Sequence, residues 1–151
     1  MRTPLETVQR VLAAFEAGDD AMLADLLDED MVLEAPGGVV ARGRDAAAAY
    51  VDGFLATFGD LAVETHLLVE QDDLVVEEYT LIATHVGMYR SAWGVQVEPT
   101  GARVSLRVAE VYRVRAGRVV ENRLYFDEYA LATQLGAAAA DGPAPLTAGR
   151  S

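Results

Sequence analysis

The chain is predicted to be an α+β protein, with N-terminal helices packed in a curved, mostly antiparallel sheet. Three observations predict it. Helical periodicity runs from the N-terminus to Phe58, long strand-like runs follow from Leu61, and the two kinds of segment do not alternate as a βαβ fold would require. No internal repeat interrupts this order. At 151 residues the chain has the common size of one domain. A chain this long buries roughly 70% of its unfolded surface and needs no covalent staple. It has no cysteine to make one, which removes disulfides, thiolate metal sites and cysteine nucleophiles.

Thr3-Pro4-Leu5-Glu6 reads as a helix start: threonine caps, proline suits the first position, and Glu6 completes a capping box. Leu5, Val8, Leu12 and Phe15 recur at helical spacing until Gly18 supplies a stop. Asp19 or Asp20 can cap a second short helix with Met22, Leu23, Leu26 and Leu27 as its buried stripe. A brief strand is expected from Met31 to Glu34, then a turn at Pro36-Gly37-Gly38. Asp45 is the expected cap of a third helix that ends at Gly59, with Tyr50, Phe54 and Phe58 on one face. Strands are expected at about 61–70, 74–87, 103–115 and 118–126, parted by Gln71-Asp72-Asp73, a loop with Pro99-Thr100-Gly101, and Ala116-Gly117. A last helix spans Glu128 to Leu135. This sets the domain at residues 1–136, with 137–151 expected to be a disordered tail because it is small, Pro- and Gly-bearing and patternless.

The hairpin at Ala116-Gly117 admits two registers, and a one-residue slip turns every side chain to the other face. A turn with only Gly117 at positive φ pairs Val114 with Arg118 and separates the faces better, so it is preferred. Leu106, Val108, Tyr112, Val114, Val120, Leu124 and Phe126 then share a face with Glu110, which lies opposite Asn122. Arg107, Arg113, Glu121, Arg123, Tyr125 and Asp127 take the other face. A carboxylate and an amide within an apolar face suit a ligand pocket, and burial would raise the carboxyl's pKa toward neutral pH. The plainer alternative is that Glu110 and Asn122 satisfy each other. His85 shares a strand face with Tyr79, Leu81 and Ala83 and points inward; His66 reads as structural.

Acidic residues outnumber basic ones 24 to 12, for a net charge of −12. Nucleic acid and anionic membrane are bound by neutralising phosphates, so neither is an expected partner. No apolar run approaches the ~20 residues of a membrane span, and the N-terminus lacks a signal-peptide core; a cytoplasmic protein is expected. Two histidines and no cysteine make a zinc site unexpected, and no loop has calcium-binding spacing, so no metal is predicted.

Four segments carry a further signal: Ala83-Thr84-His85-Val86-Gly87, Pro99-Thr100-Gly101, Tyr125-Phe126-Asp127-Glu128 and Gln134-Leu135-Gly136. Together, over about residues 3–136, they resemble the SnoaL-like polyketide cyclases of the nuclear transport factor 2-like superfamily, which also includes ketosteroid isomerase and limonene epoxide hydrolase. The resemblance implies a cone-shaped barrel, usually a homodimer through its sheet, that closes a ring in a small hydrophobic polyketide-like molecule without a cofactor. It also implies an aspartate on the last strand as general acid and base, here Asp127, with His85 orienting substrate or relaying a proton. Asp127 equally suits the N-cap of the last helix. The catalytic candidates are therefore Asp127, Glu110 and His85, and the substrate-binding candidates Asn122, Arg123, Tyr79, Phe54 and Trp93. Trp93, with Tyr89 and Met88, could form a lid over the pocket mouth or pack a dimer interface. Two other readings stay open: a non-catalytic binding or scaffold module of the same fold, and an epoxide hydrolase, for which Arg123 is present but Leu124 stands where an aspartate is expected.

Overall fold

A computed structural model of the chain describes residues 1–137; the expected tail lies outside the described residues beyond Ala137. Helix α1 (Pro4–Ala17) begins as its sequence dictates. Thr3 Oγ1 accepts the Glu6 N–H at 3.1 Å, and the Glu6 carboxylate accepts the Thr3 N–H at 2.8 Å. It stops at Gly18, whose φ of 65° is left-handed. Asp19 caps α2 (Asp20–Leu26) by accepting the Met22 N–H. Leu27 then passes directly into strand β1 (Leu27–Ala35), longer than expected, and a short strand β2 (Val39–Arg42) pairs back on it.

Helix α3 (Arg44–Thr57) starts earlier than expected and Asp45 lies inside it, so the expected Asp45 cap does not form. The chain reverses at Gly43 instead, where φ is 91° and the N–H donates to the Met31 carbonyl. Phe58 leaves this helix and opens β3 (Phe58–Gln71). Its ring remains 5.0 Å from that of Phe54.

Strands β4 (Leu74–His85), β7 (Arg103–Arg115) and β8 (Arg118–Tyr125) complete a six-stranded sheet in the order β2-β1-β8-β7-β4-β3. Only the β1–β8 pair is parallel. A two-stranded hairpin, β5 (Tyr89–Arg90) with β6 (Gln96–Val97), interrupts the loop between β4 and β7, and α4 (Glu128–Gln134) follows β8. This curled mixed sheet carrying four helices is the expected α+β cone.

The β7–β8 hairpin departs from the preferred register. Arg115 pairs with Arg118 around a two-residue turn, and Ala116 takes positive φ (51°) alongside Gly117 (72°). Such turns match the twist of the strands they join. A bulge then inserts Val120, so Val114 faces Val119 while Tyr112 faces Asn122 and Glu110 faces Leu124. Val119, not Val120, is the buried residue. Beyond the bulge the faces are those expected, because the register error is an even number of residues.

Two apolar clusters fill the cone. One joins α1, α2, β1 and α3 through Val8, Val11, Leu26, Met31 and Ala47. The other joins the start of β7 to α4 and the β5–β6 loop through Val104, Leu106, Tyr89 and Leu131. Among the described residues no helix is long and apolar enough to cross a membrane.

Candidate active site

Between the clusters lies a cavity of about 470 Å³, enclosed by α1, α2, α3 and residues of β1, β3, β4, β7 and β8. That volume suits a small organic molecule. Its walls are apolar, with Leu33, Phe54, Leu81, Leu106, Val108, Leu124 and Phe126 contributing, and the polar groups that reach it include Tyr50, Thr65, Glu77, Tyr79, Glu110, Tyr112 and Asn122. The exposed residues Glu16, Asp20, Asp45 and Asp52 rim it. Arg44, also at the rim, donates from Nη1 to the Ala24 carbonyl at 2.8 Å.

Strand alternation builds the polar centre. In the β4–β7 ladder Glu77 stands opposite Glu110, and Val75, Glu77, Tyr79 and Leu81 share the inward face. Glu77 is 1% exposed and Glu110 8%. The Tyr79 hydroxyl donates to Glu110 Oε2 at 3.0 Å. Burial pushes the Glu110 carboxyl above the usual range, while Tyr79, Tyr112 and Asn122 favour its charged form and hold it back. Glu77 is pushed up to about 7, first by burial and then by the charge of Glu110. Its one hydrogen bond comes from the Thr65 hydroxyl at 3.3 Å to Oε1, and its Oε2 is buried without a partner. Burial and the charges of Glu128 and Glu110 raise Tyr50 to about 12. The Asn122 amide donates to the Val111 carbonyl at 3.5 Å.

A family model for SnoaL-like polyketide cyclases matches residues 6–135. The chain belongs to the SnoaL-like polyketide cyclase family. Among solved structures it resembles IdmH of Streptomyces antibioticus, a candidate polyketide cyclase, at 27% identity and a TM-score of 0.75 over 90% of this chain and 100% of that one. It resembles AclR of Streptomyces galilaeus, a candidate hydroxylase, at 26% identity and a TM-score of 0.73 over 88% of this chain and 80% of that one. A SnoaL-like protein from Jannaschia sp. CCS1, at 22% identity and a TM-score of 0.75 over 91% of this chain and 98% of that one, shares the fold. No curated protein sequence matches the chain.

In this SnoaL-like chain the cavity gathers Glu110, Asn122, Tyr79 and Phe54 from the expected site residues, and four others lie outside its lining. Asp127 is exposed and caps α4, its Oδ1 accepting the Ala130 N–H at 2.9 Å. The end of β8 carries it past the cavity, onto the helix that follows. His85 is fully buried in the second cluster, where its Nδ1 accepts the Thr100 N–H at 3.2 Å and lies 3.0 Å from Thr100 Oγ1. Nε2 is left as the proton-bearing nitrogen, and it is buried without a partner beside the Phe58 ring. Trp93 packs toward Tyr129 of α4, ring centres 6.5 Å apart, against the second apolar cluster and outside the cavity lining. Arg123 reaches Glu121 at 3.4 Å. With Leu124 lining the cavity, the Arg-x-Asp arrangement of an epoxide hydrolase is not assembled there. His66 is exposed and bonds Thr80.

Glu77 is the site residue that sequence reasoning missed. The alternation that turned Tyr79, Leu81, Ala83 and His85 inward turns Glu77 inward as well, two residues before Tyr79. Glu77 and Glu78 follow the apolar start Leu74-Val75-Val76 of β4, and strand alternation buries only the first of the two. Among the described residues no group of three or more histidine or acidic side chains is arranged to hold a metal ion.

Proposed function

We propose that the chain closes or isomerises a small apolar, polyketide-like molecule by removing a proton from a carbon next to a carbonyl, with Glu110 as the base. The observation that carries this reading is a carboxyl buried in an apolar cavity, hydrogen-bonded to Tyr79 at 3.0 Å and open to the space a ligand would fill. A carboxylate with a raised pKa is a stronger base than one in water, and the dry wall leaves its charge poorly solvated. The α-proton would pass to a Glu110 oxygen while the C–H electron pair moves onto the carbonyl oxygen as an enolate. Phe54 and the aliphatic wall would hold the carbon skeleton, and Asn122 would orient an oxygen. Family membership supports a cyclase-type reaction, and every step uses protons that side chains can carry.

The test needs no natural substrate. Exchange of the α-hydrogens of 2-tetralone, a bicyclic ketone small enough for the cavity, is followed by proton NMR in deuterium oxide. Wild type is expected to accelerate exchange over buffer, and Glu110→Gln to lose at least ~100-fold of that acceleration. A Glu110→Gln variant that exchanges tetralone as fast as wild type would rule Glu110 out as the base. Tetralone that binds without any accelerated exchange would favour a binding module in the same cone.

A further inference from the structure

We propose that Glu77 is a second catalytic carboxyl, the general acid that works with Glu110 across the β4–β7 ladder. This rests on the reading of Glu110 as base. The two glutamates are directly paired in the strand register, lie on the same inward face and both line the cavity. Two carboxylates so placed do not both ionise readily in an apolar wall, so one proton is retained between them.

Their surroundings decide which of them holds it. Glu110 accepts from Tyr79, and Tyr112 and Asn122 also favour its ionised form. Glu77 has only the 3.3 Å contact from Thr65, and its Oε2 is buried with no partner. The remaining titratable neighbours offer Glu77 no positive charge: Tyr79 on its own strand, Tyr112 on β7, Tyr50 on α3 and Glu16 on α1. Arg44 stands at the rim and is engaged with the Ala24 carbonyl. The proton therefore sits on Glu77, consistent with a carboxyl pushed up to about 7, and Glu110 is the ionised partner.

This arrangement completes an aldol closure without a net change in charge. Glu110 takes the α-proton, and the enolate carbon forms a bond to a second carbonyl carbon of the same molecule. The electron pair of that carbonyl moves to its oxygen, which takes the proton from Glu77 Oε2. Glu110 ends protonated and Glu77 ionised, and transfer of one proton between them restores the starting state. Ketone exchange uses the same pair, with Glu77 protonating the enolate oxygen.

Two measurements test the proposal on the full chain. In the first, protein labelled with ¹³C at the glutamate carboxyls is titrated by NMR, with the Glu77 signal assigned by its loss in Glu77→Gln. Its midpoint is expected near 7 in wild type and clearly lower in Glu110→Gln, where the opposing charge is gone. A Glu77 midpoint that does not move in Glu110→Gln overturns the pairing. In the second, tetralone exchange is measured against pH. Wild type is expected to lose activity as pH rises through about 7, where Glu77 gives up its proton. Glu77→Gln, a neutral isostere, is expected to lower the maximum rate by about 100-fold and to abolish that alkaline limb. A Glu77→Gln variant that keeps either the wild-type rate or the alkaline limb overturns the assignment as acid. Failure of the base reading looks different: Glu110→Gln then keeps its full rate, whatever the Glu77 titration shows.

Discussion

Glu77 costs the folded chain free energy whenever it is ionised, because the apolar wall replaces its water and Glu110 adds like charge. Folded, its pKa lies near 7; unfolded, it returns toward the ordinary value of 4.5. Between those limits the folded chain keeps a proton that the unfolded chain releases. The stability contribution is thus unpenalised below 4.5, falls as pH rises, and is lowest above about 7. The full penalty is on the order of 3 kcal/mol. Glu77→Gln removes it, so this variant should be more stable than wild type above pH 7, with the gain fading to nothing below 4.5. Urea unfolding of both proteins across that range checks the sign and the window. An equal gain at every pH would point to packing and not to charge. The inward side of Glu110, Tyr79 and Asn122 was legible from strand alternation alone. The bond from Thr100 to His85 was not, because it depends on how the irregular loop after β4 folds back.

At the scale of elements, the turn residues and the register came apart. Ala116-Gly117 marked the hairpin correctly, but the strands adopt the two-residue turn that sets Ala116 at a φ of 51°. Avoiding strain at Ala116 was a sound local argument that lost to the twist of the two strands and to the bulge at Val120. The strain should be recoverable. Ala116→Asn places a residue that tolerates the left-handed region before Gly117, and should stabilise the chain by about 1 kcal/mol. An unchanged urea midpoint would mean that the turn is already relaxed. Capping was legible where a side chain does it, as at Thr3, Asp19 and Asp127. It failed at α3, where Gly43 starts the helix with no side-chain cap and its position is set by the short strand β2. Strands as brief as β2, β5 and β6 carry too few residues to show a period, which is why they escaped notice.

Over the whole molecule, charge and cavity act on the same ligand. The excess of 12 negative charges is not spread away from the opening, since Glu16, Asp20, Asp45 and Asp52 rim the cavity and Glu110 lies inside it. Low-dielectric walls focus such a field, so an anion meets repulsion on approach and again at the buried carboxyl. A neutral molecule of the same shape meets neither and still gains from burying its apolar surface. 2-Tetralone should therefore bind at least about tenfold more tightly than 2-naphthoate, which has a similar fused-ring frame and a carboxylate. Part of that difference comes from the exposed rim and is screened by salt, whereas the part from Glu110 is sheltered from it. Affinities measured by calorimetry in low and high salt separate the two: the gap should narrow as salt rises without closing. A gap that closes entirely would assign the selectivity to the rim alone, and equal binding at low salt would show that the acidic mouth does not select its ligand by charge.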